Sequence, residues 1–433
     1  MGKMDINITI NKLNNPIQII ADNKNCKIII SFVKQDETNY NIVNQINMMS
    51  DIINTRTDIK NINITFDKTI KNEMFINNVL SKINNILYRY QNNNIKISLH
   101  NVRKSSIEYY DELQQYKDIV MDPTKTPDTY LKYVLSRIPS SYKSNVFKIS
   151  KDKKYKPTKM FPLIKSVAAG SIYNSYFVHI EPKKNQKNKK TLYLIGKAVT
   201  FDSGGMNMKV DGIENMKNDM TGSAILLSVL HLMNRNKMDI KYNIHLFIPI
   251  VENMIGNTAT RPGMTVDTMS EKTVELVDMD AEGRLCIVDA IDYININLIK
   301  KNNNMNSIIL DIATLTGNTF SITKTISCIM LTNSMGKIYR DKMIEIGEMV
   351  GEYVDYLQIR DEYLDTLSTP VGDIANYNSS DKGGGCIVAG AFINYFIDSK
   401  IPWIHLDVAS NTFINNISTS YGINLLYYFI ISL

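Results

Sequence analysis

The sequence predicts a two-domain α/β protein: a smaller N-terminal α/β domain over residues 1–102, and a larger C-terminal α/β domain over 103–433 with a central mixed sheet flanked by helices. Three observations carry this reading. At 433 residues the chain is too long for one ordinary core. Short β-branched runs alternate with helical stretches along its whole length. Between the two halves, Thr126 followed by Pro127 makes a good helix start, because proline is tolerated in a first helical turn.

Taken in order, strands are expected near 27–33 (KIIISFV), 61–65 (NINIT) and 95–99 (IKISL), with helices near 40–54 and 71–90. A charged helical stretch near 105–120 follows. Further strands are expected at 192–200 (LYLIGKAVT), 242–250, 306–312 and 403–408 (WIHLDV), alternating with helices near 214–234, 281–296, 338–354 and 385–397. No internal repeat is visible.

Composition excludes several classes. Apolar residues at 44% and charged ones at 21% are ordinary globular values, and no apolar run has the length of a membrane span. The first residues, MGKMDINITINKLNN, have neither an apolar signal core nor the character of an arginine-rich presequence, so cytoplasm is expected. Cys26, Cys286, Cys328 and Cys386 form no CxxC pair, which argues for buried reduced thiols rather than disulfides or a thiolate zinc site. Much of the +6 charge lies in KKNQKNKK at 183–190; with no interleaved aromatic it reads as a solvated loop rather than a nucleic-acid surface.

The chemistry lies elsewhere. His100, His179, His231, His245 and His405 show no HExxH or HxxxH spacing, so any metal here is expected to be held by oxygens. Three segments fall where strands end and helices begin, the usual place for a site in an open α/β sheet. In GKAVTFDSGGMNMK (196–209), Lys197 sits inside an apolar strand, where a protonated amine is costly unless paired or neutralised, and Asp202 precedes a tight glycine turn. In MKNDMTGSA (216–224), Asp219 enters a helix; alone it would be a cap, and Gly222, Ser223 and Ala224 would let the helix pack closely on the sheet. In VDMDAEGRL (277–285), Asp280 and Glu282 bracket a strand-to-helix turn, so two carboxylates can converge on one cation with Arg284 behind them.

Two rival readings fail on context. DSGG at 202–205 is like a serine-protease nucleophile segment, but no histidine lies in a matching context and the chain is not all-β. The segment from Asp278 to Asp289 fits several EF-hand positions, but it follows a strand-like TVELV and ends in Asp where a bidentate Glu is needed.

Together the segments resemble the leucyl (cytosol) aminopeptidase family. DMDAEGRL at 278–285 is similar to its NTDAEGRL signature, GKAVTFDSGG to GKGITFDSGG, MKNDMTGSA to MKxDMxGAA, and ENMIGNTATRPG at 252–263 to ENMPxxxAxRPGD. DIATLTG at 311–317, DIAN at 373–376 and WIHLDVAS at 403–410 follow in the family order, so the resemblance covers roughly residues 117–433. It implies a metallo-exopeptidase that releases leucine and other apolar residues from peptides with a free N-terminus.

Carried over by position, the resemblance implies that Lys197, Asp202, Asp219, Asp280 and Glu282 hold two divalent ions, Zn or Mn with Mg or Co as options. Two clamped dications lower the pKa of a shared water and supply a hydroxide, while one of them takes the substrate's α-amine. Lys209 would stabilise the gem-diolate and Arg284 would hold a bicarbonate acting as general base. Met216, Thr314, Leu315, Gly317 and Ala409 match substrate-cleft positions. The resemblance also implies a homohexamer, with an assembly or regulatory role for the N-terminal domain; neither membrane nor nucleic acid is an expected partner. The alternative is a catalytically silent relative serving as a structural or nucleic-acid-binding oligomer. Asp278 and Met279 stand where the family has Asn and Thr, Ala198 where it has Gly, and Met264 where it has Asp. Asp278 adds a negative charge close to the site, so a shift in either metal affinity or metal preference is open from the first pair.

Overall fold

A computed structural model describes residues 4–11, 18–21, 25–31, 59–68, 70–88, 96–149, 160–186, 189–238, 240–301, 305–378 and 383–433. The helix expected near 40–54 lies outside them, as does SSDK at 379–382.

The chain divides into two units, Met1–Asp118 with Ile346–Glu352, and Ile119–Glu345 with Tyr353–Leu433. The division falls inside a helix rather than before it at residue 102, and a short segment far along the chain returns to the first unit.

The first unit carries a five-stranded sheet of β1 (Met4–Asn11), β2 (Gln18–Ala21), β3 (Asn25–Ser31), β4 (Ile59–Phe66) and β5 (Lys96–His100), in the order β2-β3-β1-β4-β5. All pairings are parallel except β2 with β3. β4 follows strand periodicity: Ile62, Ile64 and Phe66 are buried on one side and alternate with Asn61, Asn63 and Thr65. Helix α1 (Glu73–Leu87) is capped by Asn72, whose side chain accepts from Phe75 N, and it buries Ile76, Val79, Leu80, Ile83 and Leu87 at helical spacing. Helix α2 (Lys104–Met121) runs from the first unit into the second.

The second unit is built on a mixed sheet. Helix α3 (Pro127–Ser136) starts as its sequence predicts, with a reciprocal capping box between Thr126 and Thr129. The strands are β6 (Tyr142–Ile149), β7 (Ser175–Pro182), β8 (Lys190–Gly196), β9 (Ala198–Asp202), β10 (Tyr242–Asn253), β13 (Ser307–Ala313), β14 (Ser327–Thr332), β15 (Tyr353–Tyr356) and β17 (Trp403–Asp407). Their order is β15-β14-β17-β13-β8-β10-β7-β6, with β9 paired to β10. β8, β10, β13 and β17 are mutually parallel where they pair, whereas β6, β7 and β14 enter antiparallel. A small sheet of β11 (Met264–Asp267), β12 (Thr273–Leu276) and β16 (Ile374–Ala375) stands apart.

Helices cover the parallel strands. α4 (Thr221–Arg235) lies on β8, and the small residues there are obligatory. A Cβ at Gly222 would meet Ile312 O at 2.2 Å, and one at Gly196 would meet Ser223 Cα at 2.4 Å. α5 (Glu282–Ile294) buries Leu285, Val288 and Ile291 in one cluster with Tyr193, Ile195, Phe247, Val251 and Ile309 of the strands. α6 (Gly385–Asn394) joins that cluster through Val388, Phe392 and Ile393, and α7 (Ile423–Ser432) packs on α4.

Two expectations need correcting. The strand expected at 192–200 is two strands, broken at Lys197: its N–H donates to Ile312 O (3.2 Å), and its carbonyl accepts from Ser223 N (3.0 Å), so the backbone leaves one partner for another. The helix expected at 214–234 is a 3₁₀ turn, Ile213–Asn218, followed by α4; Asp219 therefore precedes the α-helix instead of capping its first turn.

Candidate metal centre

The parallel strands deliver the acidic motifs to one end of the sheet. Lys197 and Asp202 leave β8 and β9, Asp219 precedes α4, and Asp280 and Glu282 occupy the turn from β12 into α5. Carboxylate oxygens of Asp202, Asp280 and Glu282 all lie within 4.8 Å of one another. The Lys197 ammonium stands 2.7 Å from both Asp219 Oδ1 and Glu282 Oε1 and donates to Thr314 O (2.9 Å). Lys209 stands 2.8 Å from Asp202 Oδ2 and is also paired with Asp280. All seven charged residues singled out in the sequence belong to one neighbourhood, Arg284 through its electrostatic interaction with Glu282.

Glycines create the room. A Cβ on Gly204, at φ +85°, would reach 3.0 Å from Asp280 Oδ1, and one on Gly283 would overlap the Lys197 side chain. Gly204 N also donates to Asp202 Oδ1 at 2.9 Å, fixing that carboxylate.

Burial sets the electrostatics. Lys197, Asp202, Asp219 and Glu282 are each at most 3% exposed. Burial opposes the Lys197 charge, but Asp219 and Glu282 outweigh it and hold the amine above its ordinary pKa. Burial likewise opposes ionisation of Glu282, yet Lys197 and Lys209 hold it below the usual carboxylate range. The other acids move upward. Burial and the Glu282 charge push Asp202 up to about 7, burial raises Asp219 well above its normal value, and burial with Glu282 raises Asp280.

Such a cluster fits divalent metal. Four buried or half-buried carboxylates face two amines, so the site lacks positive charge, and repulsion from Glu282 adds to burial in raising Asp202, Asp219 and Asp280. Asp219 Oδ2 is buried with no hydrogen-bond partner, an acceptor left for another ligand. The donors are hard oxygens plus one amine, a set that suits Mn or Zn.

Several residues that the sequence reading quoted inside motifs but did not single out hold the centre together. Asn253 at the end of β10 donates to Asp202 Oδ1 (2.8 Å) and to Met279 O (2.9 Å). Asn376 accepts from Val277 N (2.8 Å) and Asp278 N (3.2 Å), donates to Asp278 O (2.6 Å), and its carbonyl takes Arg284 Nη1 (2.8 Å). Asp407 accepts from the N–H groups of Leu315 (3.1 Å), Thr316 (3.4 Å) and Ala409 (3.2 Å) and from the Thr316 hydroxyl (2.7 Å). The ENM, DIAN and HLD strings contained them; what sequence alone lacked was the pairing across the fold.

The expected cleft positions gather beside these anchors. Thr314 donates its hydroxyl to Asp219 Oδ1 (2.8 Å), Leu315 and Ala409 hang from Asp407, Met216 O accepts from Asp219 N (3.3 Å), and Gly317 precedes the short helix Asn318–Thr323 with open space at its Cα. Arg284 is buried, its Nε has no partner, and it borders a cavity of about 60 Å³ with Tyr377, Asn378 and Gly385. Burial lowers its pKa to about 10. As for the rivals, Ser203 Oγ accepts from Gly205 N (3.2 Å), and a strand rather than a helix precedes Asp278.

With this geometry in view, the comparisons are decisive. The model of the cytosol aminopeptidase family catalytic domain matches residues 115–426. The chain belongs to the cytosol aminopeptidase family. A probable cytosol aminopeptidase of Chlorobaculum tepidum is 35% identical over 256 residues, 57% of this chain and 47% of that protein. One from Rickettsia peacockii is 32% identical over 335 residues, 72% of this chain and 62% of that protein. The matched span is thus about half the length of the first of these relatives. Among solved structures, the bottromycin maturation enzyme BotP in complex with Mn superposes with TM-score 0.80 at 18% identity, covering 99% of both chains. Leucine aminopeptidase of Caenorhabditis elegans gives 0.82 at 18% identity, covering 99% of this chain and 95% of that one. At that identity the likeness establishes the shared fold, which extends beyond the span of the family model to the residues before 115. Among the described residues, no helix of this family member is long and apolar enough to cross a membrane.

Proposed function

We propose that the chain is a metal-dependent aminopeptidase that removes N-terminal residues, preferably leucine and other apolar ones, from peptides. The observation that carries this is the convergence of Asp202, Asp280 and Glu282 oxygens within 4.8 Å beside the unpartnered Asp219 Oδ2, in a chain of the cytosol aminopeptidase family. Lys197, Asp202, Asp219, Asp280 and Glu282 would hold two divalent cations. Such a pair, when bound, activates water near neutral pH and anchors a free α-amine, which is what restricts cleavage to the N-terminal bond.

The protein's own groups do the rest. Lys209 keeps its proton, since Asp202, Glu282 and Asp280 outweigh its burial, and so brings a full ammonium to the oxyanion of the attacked carbonyl. Arg284 has a buried Nε–H without a partner and lines a small cavity, which supports the reading that it holds a small oxyanion such as bicarbonate acting as general base. Met216, Thr314, Leu315, Gly317 and Ala409 would line the cleft, with Asp407 keeping the two loops rigid. The converging ligand set favours an enzyme over a silent relative. The homohexamer implied by the resemblance is part of the proposal, and light scattering tests it.

The test is hydrolysis of leucine p-nitroanilide by chelator-stripped protein reloaded with Mn or Zn. Activity should return with metal, disappear with chelator, and be absent on the N-acetylated substrate. Chelator-resistant hydrolysis blocked by a serine reagent would contradict the reading.

A further inference from the structure

A second cluster of metal-binding groups lies at the opposite end of the same sheet. His179 and Glu181 are two residues apart on β7, so their side chains share a face, and His245 on the neighbouring β10 stands across from them. His179 Nε2 and His245 Nδ1 are 2.9 Å apart, and one ligand atom from each of His179, Glu181 and His245 lies within 4.8 Å of the others. From His245 to Asn253 at the catalytic end of β10 is about 26 Å at 3.3 Å per residue. The two clusters are separate.

The cluster has an unfilled coordination capacity. The rings of His179 and His245 are 2% and 5% exposed, and they share a single proton between Nε2 and Nδ1 while the other nitrogen of His179, Nδ1, is buried without a partner. An ordinary packed histidine pair satisfies its outer nitrogens. Burial and the neighbouring His245 push His179 down to about 3, and burial pushes His245 down to about 4, so both rings are neutral and carry lone pairs. Glu181 is half-buried and ionised; its Oε1 faces Lys143 Nζ at 3.2 Å and Asn145 Nδ2 at 3.0 Å on β6. The Lys143 side chain is 55% exposed and can turn into water. Stacked and edge-on rings of Phe247 and Tyr293 fix the His179 plane from within the core.

We propose that His179, Glu181 and His245 form a third cation site, taking one nitrogen-preferring first-row transition ion such as Zn(II) or Cu(II), and tying β7 to β10. The ion takes the place of the proton between His179 Nε2 and His245 Nδ1: that proton passes to the outer nitrogen of the ring that carried it, so each neutral imidazole turns a lone pair to the ion and bears its one N–H on the other nitrogen, and Glu181 exchanges Lys143 for the ion. Two imidazoles and a carboxylate suit a borderline ion at about 2.0–2.1 Å from nitrogen, whereas the oxygen-rich catalytic cluster suits Mn. The His179–His245 pair already has near-ligand spacing, and side-chain rotation of Glu181 completes the set.

Imidazole ligation distinguishes this site, because none of the proposed catalytic ligands is a histidine. Untagged, chelator-stripped full chain is loaded with one to three equivalents of Cu(II), and the remote-nitrogen modulation of copper-bound imidazole is recorded by pulsed EPR. The wild type should show two coupled imidazoles and retain one Zn more per chain than His245→Phe, which should lose the modulation. Glu181→Gln, a conservative change at a half-exposed position, should weaken copper binding at least tenfold and guards against a folding defect in the first variant. Absence of imidazole modulation in the wild type, or its full retention in both folded variants, overturns the proposal. Since no step reads hydrolysis, the outcome is independent of the aminopeptidase reading.

Discussion

Gly283 leaves the space that the Lys197 side chain fills: a Cβ at position 283 would lie 2.6 Å from Lys197 Cε and 2.7 Å from its Nζ. The glycine of the AEGR string is thus a requirement of a lysine eighty-six residues earlier. Because the overlapping atoms are the end of a long side chain, Gly283→Ala should fold while displacing the amine. We expect aminopeptidase activity to fall roughly 100-fold, the usual cost of misplacing a reacting group by about 1 Å, with an unchanged circular dichroism spectrum. Wild-type activity in that variant would show that Lys197 is no ligand.

The charge shortage of the metal-free centre makes its stability depend on pH. Asp202 is raised from 3.8 to about 7, so between those values the folded chain binds more protons than the unfolded one. Its contribution is therefore present below about pH 4 and is lost as pH rises through 7. A divalent ion replaces that proton, so the rise in melting temperature on adding Mn should grow from pH 5 to pH 8. Melting curves at four pH values check this, and a pH-independent metal effect would count against it.

Asn376 bridges the two strands of the small sheet's exit and the arginine behind them, with four hydrogen bonds of 2.6–3.2 Å. Removing its amide in Asn376→Ala leaves Val277 N, Asp278 N and Asp278 O without that partner. Denaturant unfolding should show a loss of about 1–3 kcal/mol, the range for stranded buried polar groups, and kcat should fall more than KM rises.

Much of this centre was legible in the sequence because its ligands sit in contiguous strings at strand ends, and the strings keep one order. The tertiary partners were not: Asn253, Asn376 and Asp407 make hydrogen bonds across 26 to 99 residues, and no local period marks a long-range hydrogen bond. The break at Lys197 was hidden for the same reason, since its cause is the close approach of Gly222 and Ser223 to the sheet. In the N-terminal unit, β-branched runs marked β3, β4 and β5, whereas β1, MDINITIN, was passed over although its Ile residues alternate with Asn and Thr as those of β4 do.

Asp278 and Met279 turn out to have different weights. Met279 is buried in the core cluster, whereas Asp278 Oδ1 accepts from Asp280 N at 2.8 Å, a turn bond that Asn can make equally well. Asp278→Asn should keep the fold and weaken metal binding only modestly, roughly two- to fivefold, since one screened charge a few ångströms away is worth about 1 kcal/mol or less. Isothermal titration with Mn measures it.

The central claim, that the carboxylates hold a pair of ions, is tested most directly by Mn EPR on the wild type and Glu282→Ala. The wild type should bind two Mn per chain with the multiline spectrum of an exchange-coupled pair, and Glu282→Ala should lose both the coupling and the hydrolysis of leucine p-nitroanilide. Two uncoupled ions in the wild type, or a coupled pair and full activity in Glu282→Ala, would contradict it.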